Sequence, residues 1–362
     1  MKIQAAVARD PHGKFSVEEA ELSAPLADEV LVRLVATGIC HTDLAVVEKI
    51  MPLPLPMVLG HEGAGVVEAI GEKVTGIAVG DHVVLTFLTC GHCHPCEEGH
   101  PSYCDQYGLL NFYTRRPDGS ATITTPAGDA LGAAFFGQSS FATYAIANQR
   151  NAIKIRKDAP LELMGPLGCG LSTGAGTVFN VLKPSPASTL AVFGTGALGS
   201  AAILAARALG VARIVAIDRV ASRLELAKEL GATDTIDTSR VDLAKALEDL
   251  GGLDFAIDTS GVPRLVEAAV AALKTRGTCV LLGAGHESEI KLSILPMISG
   301  KVLRGVVNGD CDPTELIPKL ADMYMDGSFP IDKLSAFYTL GEINQAVADS
   351  HSGKTIKPII RF

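Results

Sequence analysis

The sequence has no surplus of positive charge. Its 31 lysines and arginines stand against 40 aspartates and glutamates, a formal net charge of −9. No basic field exists to hold a phosphate backbone or an anionic lipid surface, so neither nucleic-acid nor membrane partners are expected. Charged residues make up only 20% of the chain and apolar residues 48%, which excludes a disordered polymer and supplies a sizeable core. There is no low-complexity tract. The stretch Met1 to Asp10 lacks the plan of a secretory leader and runs straight into a strand-like segment, Ile3 to Ala8, so a cytoplasmic protein is expected. The uncharged run Thr189 to Ala206 is long enough to raise a membrane span. Its glycines, however, are spaced for a strand-to-helix junction, which accounts for the composition better.

A chain of 362 residues exceeds the size at which one core usually stops growing, so two domains are expected. The first part, to about residue 160, reads as mostly β. Short β-branched runs such as Glu29 to Val35, Gly65 to Ile70 and His82 to Thr86 alternate with Gly, Pro and Asp, and Pro52, Pro54 and Pro56 mark an extended loop. From about Thr173 the rhythm changes. Strands are predicted at Leu190 to Phe193, Ile214 to Ile217, Phe255 to Ile257 and Val280 to Leu282, separated by helical patterns. Strand alternating with helix over such short spans implies a parallel sheet covered by helices. A helix at Thr314 to Met325 and a closing strand at Ile359 to Phe362 complete the chain.

Gly194-Thr195-Gly196-Ala197-Leu198-Gly199 follows an apolar strand and opens a helix, the context that gives a G-x-G-x-x-G run meaning. Gly194 permits a tight turn, Gly196 lets backbone N–H groups approach a pyrophosphate, and Gly199 lets the helix pack closely. The helix N-terminus adds partial positive charge. Asp218 ends the next strand, at the distance of about 20 residues where a ribose-binding acid is expected. A carboxylate there repels a 2′-phosphate and favours NAD over NADP, although neighbouring Arg219 is a group that can hold that phosphate.

Eight cysteines are present. Cys90-x2-Cys93-x2-Cys96-x7-Cys104 sets four thiolates on one short lobe, and four soft ligands suit a closed, structural zinc site. His92, His94 and His100 share the lobe and read as surface side chains. Cys40, His61 and Cys169 lie in three separate segments, which spacing alone does not bring together. Two thiolates and one imidazole would leave a fourth position open, the pattern of a catalytic zinc.

The motifs around these residues resemble the medium-chain, zinc-dependent alcohol dehydrogenase family. Gly60-His61-Glu62-x2-Gly65-x5-Gly71-x2-Val74 is similar to the family's zinc signature. Gly38-x-Cys40-His41-Thr42-Asp43 and Gly168-Cys169-Gly170-x2-Thr173-Gly174 are similar to its other two ligand segments. The likeness extends to Gly353-Lys354-x-Ile356-Lys357 near the end. It implies an α/β chain with a GroES-like, mostly β catalytic domain at 1–170 and 308–362. A Rossmann doubly wound parallel sheet at 171–307 would bind NAD, with the active site in the cleft. It implies two zinc ions per chain, a catalytic one on Cys40, His61 and Cys169 and a structural one on Cys90, Cys93, Cys96 and Cys104. Glu62 would sit behind the catalytic metal and Asp43 would hold the His61 ring. Thr42 would take the alcohol proton. His41 and Lys357 would contact the pyrophosphate, Thr173 and Leu198 would pack on the nicotinamide, and Arg223 would lie near the adenosine ribose. The position of a histidine that completes a proton relay in many members is Ala45 here.

The segment ending Phe135-Phe136-Gly137-Gln138-Ser139-Ser140-Phe141-Ala142, the run Met164 to Gly170 and Ala45 are similar to the bacterial aryl-alcohol dehydrogenase branch. That branch implies a primary aromatic or allylic alcohol as substrate, oxidised to the aldehyde. Phe135, Phe136 and Phe141 are read either as cleft lining or as core. Geraniol- and perillyl-type alcohols are the close alternatives. Two readings of other kinds stay open: a non-catalytic, zinc-stabilised dinucleotide-binding protein, and a zinc-free quinone or enoyl reductase on the same fold. The family also implies a homodimer or homotetramer, with the strand at Lys301 to Val307 as the joining edge.

Overall fold

Alternation of apolar and polar residues builds the first sheet around one strand. In Glu29–Gly38, Val30, Val32 and Leu34 point inward and Arg33 outward. The inward residues meet Val67, Val83, Leu85, Ala145 and Ala147 in one core. This strand pairs antiparallel with Gly63–Ile70, Tyr144–Asn148 and Lys357–Arg361, and so gathers distant segments into a seven-stranded sheet. A smaller sheet runs Met57–Val58, Lys2–Ala8, Phe15–Leu22 and Ile123–Thr124. It closes over a second core that includes Met57, Phe135 and Phe141, each fully buried and each contributing about 1.5–3 kcal/mol by leaving water. The computed structural model describes every residue except 284 and 286–288.

The central strands of the later part are largely apolar, as strands covered on both faces must be, while the outer strands Asp234–Asp237 and Val302–Gly305 are polar or exposed. Every residue of Thr189–Phe193 is buried. Six strands pair in parallel in the order Asp234–Asp237, Arg213–Asp218, Thr189–Phe193, Leu253–Asp258, Leu273–Leu281, Val302–Gly305. The chain starts at the middle of the sheet and reverses direction there, which makes the carboxyl end of Thr189–Phe193 a switch point where ligands bind. Helices Leu243–Asp249 and Pro263–Ala272 cover the sheet through Leu247, Ala269 and Val270. The apolar run considered above as a membrane span divides into the strand Thr189–Phe193 and the helix Ala197–Ala208. No helix among the described residues is long and apolar enough to cross a membrane.

The chain forms two units, one of residues 1–169, 312–326 and 331–362, the other of 170–311 and 327–330. The return to the first unit therefore begins at Asp312, later than the expected 308. The physical reason is that Asn180 donates to the carbonyls of Gly309 (3.1 Å) and Asp310 (3.2 Å), holding these residues in the second unit. Asp312 then caps a new helix, Pro313–Met325, by accepting from Thr314 N at 2.8 Å. Residues 327–330 stay with the second unit, where Arg207 donates to Ser328 O at 2.9 Å. A helix at Ile343–His351, unforeseen from periodicity, follows a capping box between Thr339 and Glu342.

Candidate active site

Three chain segments converge in the first unit, and one carboxylate joins two of them. Cys40 lies just beyond the strand Glu29–Gly38 and caps the short helix His41–Val47. Asp43, at the third helical position, accepts from the Cys40 backbone N at 3.0 Å. Its other oxygen accepts from Gly60 N and faces His61 Nδ1, both at 2.9 Å. Gly60 has φ +92, and a Cβ there would collide with Phe141, so glycine is required where the chain turns His61 inward. The third segment reaches the site through Gly168, whose carbonyl accepts from the Thr86 hydroxyl at 2.6 Å. Cys169 follows directly. Donor atoms of Cys40, His61, Glu62 and Cys169 all fall within 4.8 Å of one another.

This cluster concentrates charge where water is excluded. His61 is 1% exposed, and Asp43 and Glu62 are fully buried. The Cys40 thiol is held well below its usual range, first by the hydrogen bond from Cys169 and then by the fields of His61 and Lys357, against the effect of burial. Cys169 is pushed up by the Cys40 sulfur and by burial. Burial works against a charged His61, yet Asp43 and Cys40 together raise its pKa. Burial also raises Glu62, although Lys357 opposes it. Because Nδ1 is engaged by Asp43, Nε2 is the ring atom left to face a ligand. It is buried and has no hydrogen-bond partner among the described residues. Two sulfurs and an orphaned imidazole nitrogen form a donor set that fits zinc, while the Glu62 carboxylate in the same cluster is engaged by Lys357.

The four-cysteine lobe fits a metal in a different way. Its sulfurs also lie within 4.8 Å of one another, with Cys93 to Cys96 at 3.4 Å and Cys93 to Cys104 at 3.8 Å. A tetrahedron with arms of about 2.3 Å has edges of about 3.8 Å. Backbone N–H groups point at the sulfurs: Cys90 N at Cys104, His92 N at Cys90 and Asp105 N at Cys93, at 3.3, 3.5 and 3.4 Å. Burial opposes ionisation of Cys93, but the N–H groups of Asp105 and Cys96 bring its pKa to about 7. Burial and the Cys93 sulfur push Cys96 up to about 12. His92 bonds to the Cys90 carbonyl and exposed His94 faces Glu98, so neither is turned to the sulfurs.

In the second unit the glycine turn is held by the acid expected to bind ribose. Asp218 accepts from Thr195 N (2.8 Å) and Thr195 Oγ1 (2.9 Å), and its other oxygen accepts from Arg219 N and Val220 N. A ribose diol would have to share a carboxylate whose four acceptor positions are already in use. Gly194 has φ +90, and a Cβ on Gly199 would collide with the Gly194 carbonyl, so the helix sits flush on the turn. A Cβ on Gly196 would meet nothing within 4 Å, leaving open space before the helix N-terminus. The helix Gly170–Gly176 lies so close to the fingerprint helix that a Cβ on Gly174 would collide with the Leu198 carbonyl, which puts Thr173 and Leu198 on adjacent elements. Arg223 carries a buried Nε without a partner among the described residues.

Family models match two stretches of the chain, an alcohol dehydrogenase GroES-like domain at residues 26–157 and a zinc-binding dehydrogenase domain at 197–324. A geraniol dehydrogenase of Castellaniella defragrans is 44% identical over 99% of this chain and 97% of its own. The chain belongs to the zinc-dependent medium-chain alcohol dehydrogenase family. The benzyl alcohol dehydrogenase structure from Acinetobacter calcoaceticus superposes with a TM-score of 0.96 at 43% identity, covering 100% of this chain and 99% of that one. An alcohol dehydrogenase zinc-binding domain protein from Burkholderia ambifaria gives 0.98 at 49% identity, with the same coverage. The GroES-like domain and the Rossmann-type parallel sheet expected from the sequence are those of this alcohol dehydrogenase family.

Within that dehydrogenase frame, Lys357, expected at the pyrophosphate, is paired with Glu62. Its ammonium is 2% exposed and donates to both Glu62 oxygens, at 2.9 and 2.8 Å, and to Ile39 O at 3.2 Å. All three of its donors are thus engaged, and a phosphate contact would require breaking that pair. Thr42 sits with its hydroxyl 3.8 Å from the Cys40 sulfur, and His41 is exposed at the helix start. Phe135, Phe136 and Phe141 are all buried, so the reading of these rings as core holds for each. Two of them also touch the site: Phe136 stacks on the His61 ring at 4.5 Å and Phe135 meets it edge-on at 5.5 Å. Sequence reasoning missed the Glu62–Lys357 pair because the two residues are 295 positions apart. It missed Thr86 and Gln138 because polar residues near apolar strands carry no periodic signal.

Proposed function

We propose that this dehydrogenase oxidises a primary aromatic or allylic alcohol to its aldehyde, with hydride transfer to NAD. The observation that carries the reading is the meeting of Cys40, His61 and Cys169 around an unpartnered, buried imidazole nitrogen. Cys40, His61 and Cys169 would hold a zinc ion there, which would supply Lewis acidity toward the alcohol oxygen. Asp43 fixes the tautomer and angle of His61. The Thr42 hydroxyl takes the alcohol proton and passes it outward. Ala45 places no imidazole on that route, so the proton would have to leave through the coenzyme ribose hydroxyl and water or through another base. Cys90, Cys93, Cys96 and Cys104 hold a second, structural zinc. NAD would be the coenzyme, with Gly194, Gly196 and Gly199 holding its pyrophosphate and Asp218 its ribose, and His41, Thr173, Leu198, Arg223 and Lys357 in the supporting roles named above.

The aromatic surround of His61 packs that ring as core, so the case for an aromatic or allylic alcohol rests on the relatives. Phe136 stacks on that ring and is itself backed by Tyr107 and Phe112. The relative that acts on geraniol supports an allylic terpenoid alcohol as the second reading, and the solved benzyl alcohol dehydrogenase supports the first. Exposed Ile294, Leu295 and Ile298 lie close in sequence to the edge strand Val302–Gly305, which supports that edge as the place where a second copy of the chain would pair in a homo-oligomer. None of the eight cysteines is in a disulfide, which suits the reducing cytoplasm. The deciding experiment measures zinc per chain and NAD-dependent oxidation of benzyl alcohol, geraniol and ethanol on one sample. Two zincs with benzyl alcohol or geraniol well above ethanol is the expected result. Equal efficiency on ethanol removes the aromatic claim, and a single zinc removes the mechanism.

A further inference from the structure

Asp43 reaches only two of the three ligand segments, those of Cys40 and His61. The Cys169 segment needs its own tie, because a ligand set is only as well defined as its loosest member. The described hydrogen bonds supply one. The Thr86 hydroxyl donates to Gly168 O at 2.6 Å, one residue before Cys169. The Thr86 carbonyl accepts from Gln138 Nε2 at 3.2 Å, and the same nitrogen donates to His61 O at 3.1 Å. Gln138 Oε1 accepts from Gly63 N at 3.1 Å, so the amide grips both sides of the His61-Glu62 pair. The path from Gly168 to His61 runs through two side chains, exposed by 1% and 2%.

The loop that carries Gln138 is bent to make this reach. Ala134, Phe136 and Ser139 have φ of +58, +51 and +55, a left-handed conformation that L-residues keep only when their surroundings over-determine it. Asn151 Nδ2 donates to the carbonyls of Phe136 and Gly137, at 3.1 and 3.3 Å, and also to Thr86 O at 3.1 Å. The Ser139 hydroxyl donates to Val58 O and accepts from Phe135 N. The same bend lays Phe136 on the His61 ring. The loop therefore holds His61 at the backbone and at the ring together.

We propose that Thr86 and Gln138 are positioning residues, a strap that fixes the spacing of the His61 and Cys169 segments and so slows the escape of the catalytic metal. The inference rests on the zinc reading above. A buried and satisfied network of this kind confers rigidity, which is lost when one member is removed.

The test is the rate at which each zinc equivalent passes to a chromophoric chelator, with thermal midpoints recorded on the same samples. The catalytic equivalent is assigned by its absence from His61→Ala protein. Thr86→Val keeps the shape and removes the hydroxyl; Gln138→Met removes the amide. Each is expected to release the catalytic equivalent about tenfold faster, with the cysteine lobe's equivalent unchanged. Thr86→Ser is expected to restore the wild-type rate, which a packing defect would not explain. The two lesions are at opposite ends of the strap, so loss of fold in one leaves the other to decide. Wild-type release in the folded variants, or equal acceleration of both equivalents, overturns the strap alone. A wild-type chain holding one zinc overturns the parent reading, and the strap with it.

Discussion

The two candidate metal sites solve the same coordination problem by opposite means. In the cysteine lobe all four sulfurs come from residues 90–104, and the groups that steady them are backbone N–H donors. In the dispersed site the donors come from three segments, and buried side chains steady them: Asp43, Lys357, Thr86 and Gln138. The local site fills its own shell, so it can only support structure. The dispersed site, with Cys40, His61 and Cys169 as its ligands, would leave room for an oxygen, and it requires a buried scaffold of charge gathered from distant parts of the chain.

The largest expected effect separates the sites outright. His61→Ala should lose one zinc and bring NAD-dependent alcohol oxidation to background while the fold persists. Cys93→Ser should lose the other zinc and lower the thermal midpoint, because binding energy at a structural zinc is folding energy. Metal analysis and melting curves on both proteins check this; the same zinc lost from both would erase the contrast. Next in size is Lys357→Met. It leaves Glu62 buried without its cation, a loss of about 3–5 kcal/mol for an uncompensated partner. Denaturant unfolding reads that cost, and Lys357→Met with Glu62→Gln should recover most of it. An unchanged unfolding midpoint in the single variant would show that the pair contributes nothing. The smallest effect is expected for Asp43→Asn, about a 10- to 100-fold loss of metal affinity or turnover through a loosened His61. Competition with a chelator measures it. No comparable side-chain substitution should affect the cysteine lobe, whose supporting donors belong to the backbone.

Legibility in the sequence followed the same division. Cys90 to Cys104 and Gly194 to Gly199 are short motifs whose chemistry is set by neighbours a few residues away. The alternation of strands and helices after residue 173 was readable for the same reason, since both periods are local properties. The short helix His41–Val47 gave no periodic signal because it spans about two turns. The return of the chain at Asp312, rather than at 308, depended on where Asn180 found carbonyls to bond. Lys357 was the instructive case: a cation near the end of the chain reads as a phosphate ligand, and only the fold shows the buried carboxylate beside it.

By itself the sequence determined the residue types, the local turns and the parallel-sheet rhythm, because covalent spacing and side-chain period act over a few residues. Only the tertiary structure decided which donors share one point in space, which ring nitrogen of His61 is left without a partner, and that Phe136 lies on that ring. Those outcomes depend on packing between separate segments of the chain, and no local pattern records which segments meet.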